Sequence, residues 1–195
     1  MSGPKESAAS GSLRIIGLDL SLRSTGVCLP DGTAYRIKTR QGDGDRRLLT
    51  IRTAIRAALA EHRPHLAVVE DLPRHAKGAG ITAKVHGVVD CELLDAGVPY
   101  ALVVPATLKK YATDNGNADK RRMADAAYLA AGVEFPGDLN AKGEGGDMCD
   151  AWWLRAAGHD ALGVPLFGMP QAQRDCLRKV EWPEGYRQRY IEGQA

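Results

Sequence analysis

Long apolar runs are missing from this 195-residue chain, and so is any paired-cysteine motif. A helical bilayer span needs about 20 consecutive apolar residues. No stretch approaches that, and the first residues lack the apolar core of a signal peptide. MSGPKESAASGS, residues 1–12, is small and polar and reads as a disordered leader or a cloning remnant. Cys28, Cys91, Cys149 and Cys176 are scattered without CxxC spacing, which argues against a zinc site or a disulfide frame and suits a reducing cytoplasm. Charge of one sign is lacking as well. With 26 Lys and Arg against 24 Asp and Glu, the net charge is only +2, so the total does not call for a nucleic-acid partner.

Distribution says more than the total. Basic residues gather in PRHAKGAGITAKVH (Arg74, His75, Lys77, Lys84, His86) and in LKKYATDNGNADKRR (Lys109, Lys110, Lys120, Arg121, Arg122). Two solvated surfaces would explain both, unless they border one acidic site.

Periodicity predicts strands over 13–20, 26–29, 34–38, 66–69 and 100–104, the second and third forming a hairpin around Pro30-Asp31-Gly32. Helical spacing of Leu48, Ile51, Ile55 and Leu59 predicts a helix over 46–60. Further helices are expected over 82–94, from Pro105 through Lys109 and Lys110, over 118–131 with Asn117 as cap and Gly132 as stop, and over 147–157. A short helix is expected within 171–180. Three early antiparallel strands followed by alternating strands and helices predict an α/β fold, a mixed central sheet with helices on both faces.

Four carboxylates stand out. Asp19 lies within an apolar strand, where a buried ionised carboxylate needs a cation, donors or water. Glu70 ends LAVVE, and Asp147 and Asp150 lie three apart on GDMCDAWWLRAAG, hence on roughly one helix face. Each has a plain explanation alone: acids favour helix N-termini, and strand ends reach water. If the first and fourth strands are neighbours and the last helix crosses them, the four converge. Such a cluster raises its own pKa values and calls for hard divalent cations, magnesium above all. Two ions about 4 Å apart can activate a water and stabilise the leaving oxygen in phosphodiester hydrolysis.

GLDLSLRSTGV, VVEDLPRHAKGA with KVHGVV, PATLKKYATDNGNADK and GDMCDAWW resemble, in order, the four motif regions of RuvC-like Holliday junction resolvases, from about Ile15 to His159. The resemblance implies an RNase H-like fold and a homodimer that nicks four-way junctions in DNA recombination and repair, with two Mg2+ or Mn2+ ions per site. Carried over residue by residue, it implies Asp19, Glu70, Asp147 and Asp150 as metal-binding catalytic acids. It implies Lys120 as a catalytic lysine at the scissile phosphate and Lys109 on the backbone. Arg23, Arg74, His75, Lys77, Lys84, His86, Lys110 and Arg121 are further candidate DNA contacts. It also implies a nuclease domain over 13–162 with a C-terminal appendage over 163–195, acting in a bacterial or phage-infected cytoplasm without membrane or nucleotide cofactor.

Three departures mark the chain. Asp19-Leu20-Ser21-Leu22-Arg23-Ser24-Thr25-Gly26 stands where the family usually has DPGSRxTG. Asp114 stands where a glycine is expected after Thr113, and Pro73-Arg74-His75-Ala76 lacks the aromatic that wedges into the junction centre. These features resemble phage-type or actinobacterial-type variants and leave open a broader structure-selective nuclease acting on forks and flaps, or a non-catalytic junction-binding protein. An actin-like ATPase shares the opening strand-Asp-turn-Thr-Gly hairpin but would need a second phosphate loop and a Gly-Gly adenosine motif, which the chain lacks.

Overall fold

The computed structural model describes residues 13–72, 79–140 and 145–185. Strands β1 (Ile15–Asp19), β2 (Ser24–Cys28), β3 (Ala34–Lys38), β4 (Leu66–Glu70) and β5 (Tyr100–Val103) form one sheet in the order β3-β2-β1-β4-β5. β1 pairs antiparallel with β2 and parallel with β4, so it is the centre of a mixed sheet. The helices are α1 (Arg46–His62), α2 (Ala79–Asp95), α3 (Pro105–Thr113), α4 (Lys120–Ala131), α5 (Asp147–Ala161) and the short α6 (Gln171–Arg174).

Strand periodicity sorts the core into two layers. Ile16, Leu18, Ala67 and Val69 face α1 and α2, where Ile51, Ile55, Val85 and Val89 cover them. Ile15, Leu66 and Val68 point the other way, into a core built on α5 with α3 and α4. Asp19 and Glu70 share the parity of this second set and therefore fall on the α5 face.

Glycines let α5 lie unusually close to the sheet. A Cβ on Gly17 would overlap the Ala151 carbonyl oxygen, and one on Gly26 would overlap that of Asp147. At the far end a Cβ on Gly158 would stand 2.7 Å from Val68 Cγ2. Gly158 is thus a packing glycine rather than a stop, and α5 runs past the expected end at Ala157 to Ala161. Its flank is fixed by aromatic packing: Trp152 stacks on Phe167 with centroids 5.2 Å apart, and Trp153 donates to the Met123 carbonyl oxygen at 3.1 Å.

Two boundaries differ from expectation for local reasons. α4 starts at Lys120, because Asp119 rather than Asn117 caps it, accepting from the Arg122 amide at 2.9 Å; Asn117 is held in the preceding turn by Asn115. The expected helix within 171–180 divides into α6 and a 3-10 turn, Asp175–Lys179. This segment packs on α3 and α5: Cys176, Leu177 and Val180 join the α5-side core, and Arg174 Nε lies 2.6 Å from Asp160 Oδ1.

Candidate active site

Register brings the first two acids together. Gly17 pairs with Val68 and Leu18 with Val69, so the next step of the parallel ladder sets Asp19 beside Glu70 at the carboxyl ends of adjacent strands. On the other side Asp19 pairs with Gly26, over which the first turn of α5 lies. That turn carries Asp147 and Asp150. The two basic helices complete the ring. Lys120, the first residue of α4, pairs with Asp150, and Lys109 on α3 lies within electrostatic reach of Glu70.

The electrostatics follow from burial. Asp19 is 7% exposed; desolvation first, then the charges of Glu70 and Asp147, push its carboxyl well above the ordinary range, against the pull of Lys120. Asp19 and Glu70 share a hydrogen bond, and Glu70 is also raised, chiefly by burial, with Lys120 and Lys109 opposing. The Lys120 ammonium group offsets part of this crowding of like charges. A lysine at a helix N-terminus meets the unfavourable end of the dipole, so Asp150 holds it there. Its stem packs against Gly146, whose φ of 87° and missing side chain leave the room.

Among the described residues, no three ligating side chains already surround a single point suited to a metal ion. The donor chemistry nevertheless fits a hard divalent cation. All four acids offer oxygen, and Asp150 Oδ1 is buried with no hydrogen-bond partner. Asp19, Glu70, Asp147 and Asp150 are the residues that would hold such a cation, which would supply positive charge among the acids.

The first departure from the usual motif is repaired locally. Ser21 Oγ accepts from the Arg23 and Ser24 amides at 3.3 and 3.2 Å, and Thr25 Oγ1 donates to the Ser21 carbonyl oxygen at 2.7 Å, so the turn after Asp19 is closed by side chains. The second is backbone geometry: Asp114 ends α3 with a φ of 58°, a left-handed conformation that glycine adopts freely and Asp tolerates.

The remaining candidates scatter. Lys84 pairs with Asp45 at 3.8 Å on the α1–α2 face. His86 is 7% exposed, with Asp90 and Asp71 as its charged neighbours. Lys110 and Arg121 are exposed, Lys110 beside Cys176 rather than the acids. Arg23 borders a separate groove. Arg74, His75 and Lys77 lie outside the described residues.

Asp138 was not foreseen. It is 2% exposed, accepts from the amides of Met148 and Cys149 at 3.4 and 3.1 Å, and lies 3.6 Å from Arg36 Nη1. It therefore caps α5 from a distance and fixes the turn carrying Asp147 and Asp150. The only signal in the sequence is negative: α5 opens with Gly145-Gly146, so no local side chain can cap it, and the cap must come from elsewhere.

The family model described as "Crossover junction endodeoxyribonuclease RuvC" matches residues 15–129. A protein so named from Burkholderia thailandensis is 29% identical over 150 residues, covering 71% of this chain and 83% of the relative. Another from Saccharopolyspora erythraea is 28% identical over 133 residues, covering 62% and 67%. Among solved structures, Thermus thermophilus RuvC in complex with a Holliday junction substrate superposes with a TM-score of 0.62 at 19% identity, over 78% of this chain and 97% of that one. The fold is RNase H-like.

Proposed function

Because the chain belongs to the RuvC family of crossover junction endodeoxyribonucleases, we propose that it hydrolyses phosphodiester bonds near the branch point of four-way DNA junctions. One observation carries the reading: strand register sets Asp19 beside Glu70, directly under the α5 turn that bears Asp147 and Asp150. Bound there, two divalent ions, Mg2+ or Mn2+, would supply an activated water and neutralise the phosphate charge. The protein's own part is positional. Two neighbouring strands and a helix packed on glycine hold the acids rigidly. Lys120, released from Asp150, offsets charge on the scissile phosphate, and Lys109 steadies the backbone beside it. Two copies related by two-fold symmetry would match the symmetry of the junction and cut opposite strands, in the cytoplasm where such DNA arises.

The test is cleavage of a labelled synthetic four-way junction beside duplex, fork and single-stranded controls, in Mg2+, Mn2+ or EDTA. Paired, metal-dependent nicks near the branch are expected, and Asp19→Asn should lower the rate by about a thousandfold or more while leaving junction binding in place. Full activity in that variant would overturn the assignment of Asp19. Nicking of every branched substrate would widen the specificity, and binding without cutting in any metal would leave an architectural protein.

A further inference from the structure

A polar groove separate from the acid site is lined by residues of the turn after β1, the segment after β3 and the starts of α1 and α2. Its floor begins at Ser21, two residues after Asp19, and its walls carry Arg23, Arg40, Gln41 and Arg47, with Ile81 and Thr82 of α2 at the rim. The sequence builds it deliberately. Thr39, leaving β3, donates its amide to the Arg23 carbonyl oxygen at 3.1 Å and its hydroxyl to the Leu22 carbonyl oxygen, which locks the turn after β1 to the end of β3 and sets Arg23 beside Arg40. On the opposite wall Arg47 Nε donates to the Gly44 carbonyl oxygen at 2.8 Å, which anchors the guanidinium at the start of α1.

Charge separates these arginines from others in the fold. Arg36, Arg52, Arg56 and Arg174 each lie against a carboxylate. Among the described residues, none of Arg23, Arg40 and Arg47 has a carboxylate within ion-pair distance, and the nearby Asp45 is paired with Lys84. Three guanidinium groups lining one groove make it a basic surface that attracts an anion. Fork-shaped donors of this kind match phosphate geometry. Ile81, 54% exposed in this basic surrounding, offers an apolar contact for a deoxyribose or base edge.

We propose that this groove holds the phosphodiester backbone of the DNA arm that runs away from the cleavage site, with Arg23, Arg40 and Arg47 contacting successive phosphates. The inference rests on the nuclease reading of the acid site. It gives that reading a directional track: the strand enters over Asp19 and continues beneath the arginines. Arg40 and Arg47 were not among the residues that the motifs suggested.

The test measures binding of a fluorescent four-way junction by anisotropy in EDTA, over a range of salt, for the wild type, Arg40→Gln, Arg40→Gln/Arg47→Gln and Arg47→Lys. Arg47→Lys keeps the charge and controls for loss of the Gly44 tie. Thermal melts check that each variant folds. Arg40→Gln should weaken binding by about tenfold, and the double variant should lower the log–log salt slope by about two, while Arg47→Lys stays near the wild type. Unchanged affinity and slope in the double variant, with wild-type cleavage intact, would overturn the groove and leave the nuclease reading standing. Loss of slope in the double variant of a protein that never cuts would keep the groove and remove the nuclease. A chain that does not bind junctions at all would overturn both. An equal loss on an acidic polypeptide competitor, with none on DNA, would reassign the groove to a protein partner.

Discussion

The two faces of the central sheet are made from alternate residues of the same strands, yet they are built differently. On the α1–α2 face Ile16, Leu18, Ala67 and Val69 meet ordinary aliphatic side chains, and the edge is closed by Glu92 between Arg52 and Arg56 at 2.6 Å. On the α5 face, glycines bring helix and strand backbones into direct contact, two Trp residues brace the helix, and acids are buried among them. The first face tolerates adjustment because side chains separate its elements. The second sets the positions of Asp19, Glu70, Asp147 and Asp150 by backbone contact, so an error there moves the chemistry as well as the packing.

The largest expected effect is on that close approach. In Gly26→Ala the new methyl group would meet the Asp147 backbone, and backbone cannot rotate away as a side chain can. Destabilisation of about 3 kcal/mol or more is expected in urea melts, with cleavage lost under conditions where the variant is still folded. Wild-type activity in a folded Gly26→Ala protein would show that α5 can shift without disturbing the acids.

Next comes the pairing of Lys120 with Asp150. Lys120→Met leaves a buried carboxylate without its cation, one oxygen of which already lacks a partner. In EDTA the variant should be less stable by about 2 kcal/mol, a value discounted for the partial exposure of the lysine. Mn2+ should raise its melting temperature more than that of the wild type, because the ion replaces the missing ammonium. Equal metal-induced shifts in the two proteins would mean that Lys120 and the ion do not compete for Asp150.

Acid titration separates the faces by sign and range. On the α5 face His159 is pushed down to about 4, first by burial and then by Arg155. A folded-state pKa below the ordinary 6.5 means that the unfolded chain takes up a proton which the folded one refuses. Stability from the neutral ring is therefore complete above about pH 6.5 and is lost as pH falls toward 4. Asp19 and Glu70 act in the opposite sense, since their raised carboxyls gain protons first in the folded state. The advantage of the wild type over His159→Gln cancels that background and should shrink between pH 6.5 and 4.5. On the other face Glu92 is held down to about 2, first by its hydrogen bond from Arg56 and then by that from Arg52. Its contribution is complete above its ordinary 4.5 and is lost only as pH falls toward 2. The gap between wild type and Glu92→Gln should thus stay flat where the His159 gap closes. Parallel curves for the two variants would remove the contrast.

How much of this was legible in the sequence depends on the range of each interaction. The sheet and its mixed character follow from period-two alternation and the order of the elements. The convergence of the acids was legible only on the condition that the first and fourth strands are neighbours and the last helix crosses them, a long-range arrangement that the register of β1 on β4 and the packing of α5 supply. The start of α4 was misplaced by two residues, because Asn117 and Asp119 have near-equivalent capping chemistry and only the geometry picks Asp119. Asp138 and the close-packing roles of Gly17, Gly26 and Gly158 were invisible, because each depends on a partner brought near by the fold.

The smallest effect tests the tolerant face, and its sign is the informative part. Gly87 lies inside α2, its φ is not in the left-handed range, and a Cβ there would meet nothing within 4 Å. A helical glycine without a packing role loses backbone entropy on folding for no structural return, so Gly87→Ala should stabilise the protein by about 0.5–1 kcal/mol. Junction cleavage should be unchanged, since α2 faces the layer opposite the acids. One methyl group added to a glycine would then have opposite consequences on the two sides of one sheet. A destabilising Gly87→Ala in the isolated chain would show that the α2 surface around residue 87 is already engaged. A second copy of the chain would be the first partner to look for, by comparing the melting temperatures of wild type and variant across protein concentration.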